Sequence, residues 1–524
     1  MSHPRGGSSK VSMAVLLVAL ALVSPPAHGD DALRTLDDAS LKAAAAAAFP
    51  EYLELLSLPN DSAVSADLKR NVAWLETAFA KRGFRTRPLA NGERPLVLAE
   101  WGGNRGGRKT VLFYLHFDGQ PVIPEQWAQA DPFRPVVKRR DAGGAWRAVG
   151  AEELLRPDFD PELRVFARSS ADDKGPIAML LAAFDLLRSR KLEPRFDVKV
   201  LLDSEEEVGS PGMAAVVAAN RGALSADALV LVDGPVHPSG RPTLVFGNRG
   251  DVPVTLTVFG PRAPLHSGHY GNWVPNPAQR LATLLSTMKG DDGRVTVSGW
   301  YDRTVLTDAD RALLAEVPDD EAAMRRRVGI AEAEKVGATY QEALQYPSLN
   351  VRGLSAAATG AKVANVLPHQ AVAELDLRTT PEAEAEFLVG LLRAHVEKQG
   401  WRLVDGEPTD EERARYPKLA RLSAGRGEKA ARQPYDSIVG RWATAALEDA
   451  FADAGTGAKP VRIRMMGGTV PTHAIVTPLG VPFVIVPLVN ADNNQHSFDE
   501  NLRVGSFVSG IRSALGLLLT DFRD

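Results

Sequence analysis

Val111–Leu115 is a short unbroken apolar run between basic and turn residues, the pattern of a strand buried on both faces. Val198–Asp203 and Ala228–Val232 repeat it. Between and before these runs, apolar positions recur at helical spacing in Leu41–Leu56, Val64–Arg82 and Ile177–Arg190. The last of these is opened by Pro176, near the first turn, where proline is tolerated. Such alternation predicts an α/β domain: a largely parallel mixed sheet flanked by helices.

The pattern changes at Asp251. Val252–Phe259 and Ala371–Leu377 alternate apolar and polar, as strands with one solvated face do. Helical periodicity over Pro277–Met288 and Glu382–Lys398 makes this stretch a smaller α+β unit. A polar, charged stretch, Asp405–Pro434, then leads into a helix over Ser437–Phe451. Val461–Met465 and Phe483–Val486 return to the first style. The division expected is residues 30–250 with 434–524 as one domain, and 251–433 as a second domain inserted into it. A chain of 524 residues exceeds the usual single core, which agrees with two domains.

Composition narrows the classes. The net charge of -4 and the 6% aromatic content offer neither a basic stripe nor a stacking platform, so no nucleic-acid partner is expected. Arg5 and Lys10, the apolar run Val11–Val23, and Ala27-His28-Gly29 read as a signal peptide over residues 1–29. The run is about 13 residues, against about 20 for a membrane span. A secreted or periplasmic protein, with no membrane contact after cleavage, is the expectation. Cysteine is absent, so any metal site must use His, Asp and Glu.

Those residues fall where an α/β sheet places its sites, beyond the carboxyl ends of strands. His116 and Asp118 follow Val111–Leu115; Glu205, Glu206 and Glu207 follow the strand ending at Asp203; Asp233 follows Val232. Asp172 precedes a helix, and His496 lies in a late polar loop. Taken singly, each has an ordinary reading as a cap, a turn or a solvated face. Together they put acids on one edge of the sheet, where clustered carboxylates repel one another unless cations intervene. Two divalent ions about 3.5–4 Å apart would relieve that repulsion and activate a water between them. One carboxylate must then bridge, a second acid should orient a ligating His, and one unligated carboxylate must take the water's proton.

The motifs resemble the M20 family of zinc metallopeptidases, which includes carnosine dipeptidases, glutamate carboxypeptidases and aminoacylases. The resemblance rests on His116-Phe117-Asp118-Gly119-Gln120-Pro121-Val122, Glu125-Gln126-Trp127, Asp131-Pro132-Phe133 and Asp172-Asp173-Lys174-Gly175-Pro176. It continues through Glu206-Glu207-Val208-Gly209-Ser210, Asp233, Gly247-Asn248-Arg249-Gly250 and His266-Ser267-Gly268. Asn365-Val366-Leu367-Pro368, Arg378, Gly467-Gly468-Thr469-Val470-Pro471 and His496-Ser497 complete it.

The resemblance implies two Zn2+ per subunit, with Co2+ or Mn2+ able to substitute. His116 and Asp233 would bind one ion, Glu207 and His496 the other, and Asp172 both. Glu206 would be the general base acting on a metal-bridging water, and Asp118 the orienter of His116. The inserted domain would be a lid and dimerisation domain, making the protein a homodimer. His266 would reach a substrate oxygen from it, across the dimer or within the chain. Arg378, Asn365, Gly467, Gly468 and Thr469 would receive the substrate's terminal carboxylate, for which a planar guanidinium is well shaped.

The implied activity is hydrolysis of a peptide bond next to a free C-terminal carboxylate. An N-acyl-amino-acid amidohydrolase using the same machinery is the alternative, and a non-catalytic binding protein on this fold is a third reading. The substrate would be a small peptide or an N-acyl amino acid. Two departures from the family stand out: Ser169 occupies a glycine position before Asp172, and Lys138–Val165 is long and charged, a loop expected to alter the rim of the site.

Overall fold

A computed structural model describes residues 1, 37–103, 107–452 and 459–523. Apart from Met1, the signal-like segment lies outside them. Among the described residues the largest sheet has eight strands. In spatial order they are Arg85–Leu89, Leu96–Trp101, Asp197–Asp203, Thr110–His116, Ala228–Leu231, Phe483–Ile485, Thr243–Val245 and Val461–Ile463. The four central strands, from Asp197–Asp203 to Phe483–Ile485, run parallel. Antiparallel pairings occur toward both edges, so the sheet is mixed with a parallel centre.

Strand and helix chemistry agree with the apolar runs. Val111–Leu115 is fully buried, as are Leu201, Leu202 and Leu229–Leu231. The helices Asp38–Leu56, Lys174–Ser189, Ile438–Phe451 and Val504–Leu519 cover one face and share its core. Met213–Ala219 and Thr472–Leu479 cover the other. No helix of the described residues is long and apolar enough to cross a membrane.

Residues 250–424 supply a second sheet with a separate core. Its order is Ser348–Ser355, Gln370–Thr379, Gly250–Phe259, Leu419–Ala424, Arg402–Leu403. Buried Val252, Val254, Leu256 and Val258 alternate with side chains on the other face. The helices Pro277–Ser286 and Ala385–Lys398 pack over this core. Asn276 caps the first of them, its side chain accepting the Ala278 N–H, with Pro277 in the first turn.

Two expectations need correction. Asp405–Pro434 is not a connecting stretch: Leu419–Ala424 within it pairs with Val254–Phe259 and buries Leu419, Ala420 and Leu422. A short strand among charged residues carries too few apolar positions to show a period on its own. Lys138–Val165 is not a plain loop either. Val136–Arg140, Trp146–Ala148 and Arg164–Phe166 form, with Asn501–Arg503, a four-stranded antiparallel sheet. That pairing ties the segment to the chain just after His496.

Candidate metal centre and active site

His116 ends its parallel strand, Glu206 and Glu207 follow the neighbouring one by a single short turn, and Asp233 follows the next. Asp172 enters from the turn before Lys174–Ser189, and His496 from the loop after the strand Phe483–Ile485. Ligand atoms of His116, Asp172 and Asp233 lie within 4.8 Å of one another, and so do those of Asp172, Glu207 and His496. Asp172 alone belongs to both groups. Its Oδ1 is 2.9 Å from His116 Nε2, and its Oδ2 is 3.1 Å from His496 Nε2. His496 Nε2 is also 3.1 Å from Glu207 Oε2.

Neighbouring groups fix these side chains. Asp118 is fully buried; its two oxygens accept the Glu206 and Glu207 backbone N–H groups, and Oδ1 lies 3.4 Å from His116 Nδ1. One carboxylate thus ties the turn carrying Glu206 and Glu207 to the imidazole. Gln120 Nε2 donates to Glu207 and Gln495 Nε2 to Asp172. Ser169 keeps a left-handed conformation, φ 59°, with its hydroxyl accepting from Asn60. A non-glycine residue there is strained by about 1–2 kcal/mol. Asn494, His496 and Asp499 also have positive φ, at 57°, 60° and 55°, so the loop presenting His496 stores strain as functional loops often do.

The electrostatics are those of crowded acids. Burial, with Asp172 nearby, pushes the Asp233 carboxyl up to about 7. Burial also raises Glu206, reinforced by Asp233 and Glu207 against the opposing pull of His116. Burial alone would lower His116, but Asp118 and Asp172 hold it well above the usual imidazole value. Asp172 and Glu207 carry His496 up to about 11. Asp172 is held low despite burial, by His116 and His496. Buried acids pushed up and imidazoles held up by the same acids mark a site of concentrated negative charge.

A second constellation lies between the two sheets. Arg378, on the strand Gln370–Thr379, donates from Nη1 to Thr469 Oγ1 at 2.9 Å and from Nε to Asp376 at 3.1 Å. Thr469 in turn donates its hydroxyl to the Arg249 carbonyl. Gly467 accepts from Arg249 Nε, and Gly468 is exposed. Burial and the proximity of Arg378 push the Arg249 guanidinium down to about 10. Two cations therefore face each other beside the 467–469 loop. Asn365 and His266 are adjacent, the Asn365 carbonyl accepting the Ser267 N–H, but both are exposed. His266 Nδ1 accepts the Gly268 N–H and its ring lies against the His269 ring; among the described residues it belongs to neither three-residue group.

A family model described as peptidase family M20/M25/M40 matches residues 112–520. The chain belongs to peptidase family M20/M25/M40. As an M20 protein it is a metal-dependent hydrolase. It is 27% identical over 428 residues to the Cys-Gly metallodipeptidase dug1 of Schizosaccharomyces pombe, covering 80% of this chain and 81% of that one. It is 24% identical to the mouse Beta-Ala-His dipeptidase over 311 residues, 58% of each chain. The solved M20 family metallo-carboxypeptidase Sso-CP2 from Sulfolobus solfataricus superposes with a TM-score of 0.73 at 26% identity, covering 91% of this chain and 99% of that one.

The donor set fits divalent metal. It offers imidazole nitrogen and carboxylate oxygen only, in two groups sharing one carboxylate, with His116, Asp172 and Asp233 buried. His, Asp and Glu without thiolate suit zinc, cobalt or manganese.

One contributor escaped the sequence reading. Glu500 is fully buried and accepts the N–H groups of Ser169, Ala171 and Asp172, while Arg168 Nη1 donates to it at 2.8 Å. It holds the turn that presents Asp172. Its only sequence signal is an acid four residues past His496, which nothing in the local pattern separates from a solvated one.

Proposed function

We propose that the protein is a dinuclear metallopeptidase that cleaves a dipeptide, or a peptide's last bond, next to a free carboxylate. The observation carrying this reading is the shared Asp172, which links two ligand groups into one centre. The Schizosaccharomyces pombe and mouse relatives are each named as dipeptidases, which supports a dipeptide substrate. His116, Asp172 and Asp233 would hold one ion, and Asp172, Glu207 and His496 the other. Two ions so held would compensate the carboxylates and activate a water between them. Glu206 makes no part of either group. It would accept that water's proton and return it to the departing amine nitrogen. Asp118 orients His116 through Nδ1.

Arg378, with Thr469 and Gly467, receives the terminal carboxylate. Arg378→Ala should lower kcat/KM for dipeptides about 100-fold, close to 3 kcal/mol, mainly through KM. Carboxy-amidated counterparts should lose far less. An equal loss on both substrate sets would remove the clamp from the reading. The same clamp would serve N-acyl amino acids, so a panel of both decides between peptidase and amidohydrolase.

The exposure of His266 and Asn365 supports a homodimer in which a second copy completes the site. Ser348–Ser355 is the edge strand of the smaller sheet and exposes Val351 and Leu354, which gives such a copy a surface to pair with. Sedimentation equilibrium should give twice the chain mass, and His266→Ala should lower kcat without changing that mass. A monomer of full activity would sink this assembly.

A further inference from the structure

Beside the clamp lies a cavity of about 590 Å3. That is within the range of about 300–1,000 Å3 usual for small-molecule pockets. It is walled largely by residues 321–350 of the inserted unit, together with Arg249. Its surfaces include Met324, Val328, Ile330, Tyr340 and Leu344. Val328, Ile330 and Tyr340 remain 60%, 48% and 41% exposed, an unusual concentration of uncovered apolar surface.

Five basic and two acidic side chains line the cavity. Lys289 pairs with Glu334 at 2.7 Å, and Arg325 faces Glu321 at 3.8 Å. Arg249 instead connects the cavity to the clamp. Its Nε donates to the Gly467 carbonyl, and its own carbonyl accepts from Thr469, which also binds Arg378. Leu344 reaches the same place: a Cβ on Gly467 would lie 3.2 Å from Leu344 Cδ2 and 3.5 Å from Arg249 Nη2. Leu344 and Arg249 thus carry the cavity wall to the loop whose Thr469 holds Arg378.

We propose that this cavity is a specificity subsite that receives a large apolar side chain from the substrate's carboxy-terminal residue. The inference rests on the peptidase reading, because it takes the terminal carboxylate to sit on Arg378. The backbone of that residue is then fixed at the clamp, and its side chain enters between Arg249 and Leu344 to cover Val328, Ile330 and Tyr340. Covering such surface is favourable in proportion to the apolar area removed from water. A hydrophobic pocket discriminates by roughly 10- to 200-fold per methylene in well-fitted cases. An amphipathic wall with Arg249 at its clamp end disfavours a basic side chain there.

The test compares kcat/KM of the metal-loaded full chain on Ala-Gly, Ala-Leu and Ala-Phe. Ala-Leu or Ala-Phe should exceed Ala-Gly by at least about tenfold. Ile330→Glu, at an exposed position where folding tolerates a charge, should reduce that ratio by a similar factor. Ile330→Trp, which fills the space, should reduce it for Ala-Phe more than for Ala-Leu. Cleavage of Ala-Gly with no gain for the larger residues overturns the subsite and leaves the peptidase reading standing. An Ile330→Glu variant that slows all three substrates in the same proportion overturns it as well. Cleavage of none of them overturns both.

Discussion

Replacing Glu206 by Gln should lower kcat about 1,000-fold, near 4 kcal/mol of barrier, while the bound metal stays at the wild-type content. The separation follows from geometry. Neither three-residue group that could hold an ion includes Glu206, and its backbone N–H is already fixed by Asp118. The amide keeps the size and hydrogen-bonding reach of the acid but cannot take a proton at neutral pH. Crowding by Asp233 and Glu207, added to burial, raises the Glu206 carboxyl. A raised base is still deprotonated above its own pKa, so the wild-type rate should climb with pH along an acidic limb. The variant should lose that limb. Metal analysis together with a pH profile of kcat/KM checks both halves. Near-normal turnover in Glu206→Gln would remove Glu206 as the base.

Stripping the metal should abolish turnover, and reloading it should release protons. In the metal-free site His496 sits at about 11 and Asp233 at about 7, and His116 and Glu206 are also raised. At neutral pH both imidazoles therefore carry protons that must leave before nitrogen can ligate. Loading should release two or more protons per chain, so metal affinity should rise as pH rises. Titration calorimetry in two buffers of different ionisation enthalpy measures this. Metal binding with no proton release would contradict the ligand set. The metal-free fold should respond in the opposite sense. The stability that His496 contributes is complete below its unfolded value of about 6.5 and is lost as pH rises toward about 11. The raised Asp233 adds a penalty that builds between its unfolded value of 3.8 and about 7 and is complete above that. Metal-free protein should thus melt lower at alkaline pH, and loaded protein should not. Asp172→Ala should reproduce the stripped state, because it removes a donor from both groups at once. Asp233→Ala should spare the group formed by Asp172, Glu207 and His496. Retention of full metal by Asp172→Ala would dismiss the shared carboxylate.

Much of this centre was legible because its parts are local. Each of His116, Glu206, Glu207 and Asp233 follows an apolar run that can only be a buried strand, and parallel strands end on one side. The period of the sequence thus determined that these groups share an edge, and repulsion among acids supplied the reason for metal. The folding together of distant segments decided the remainder. Glu500 reaches the Asp172 turn across more than 300 residues, and the clamp unites Arg378 with Thr469 and Arg249 across two sheets. Leu419–Ala424 became a strand because Gly250–Phe259 offered it a partner. The cavity at Arg249 forms where residues 321–350 fold against Arg249 and Lys289. Local hydrophobic period reports which face of an element is buried, but it carries no term for what lies opposite. Pairing partners, buried ion pairs and cavities are properties of that opposite surface, and they arise only when the chain has closed.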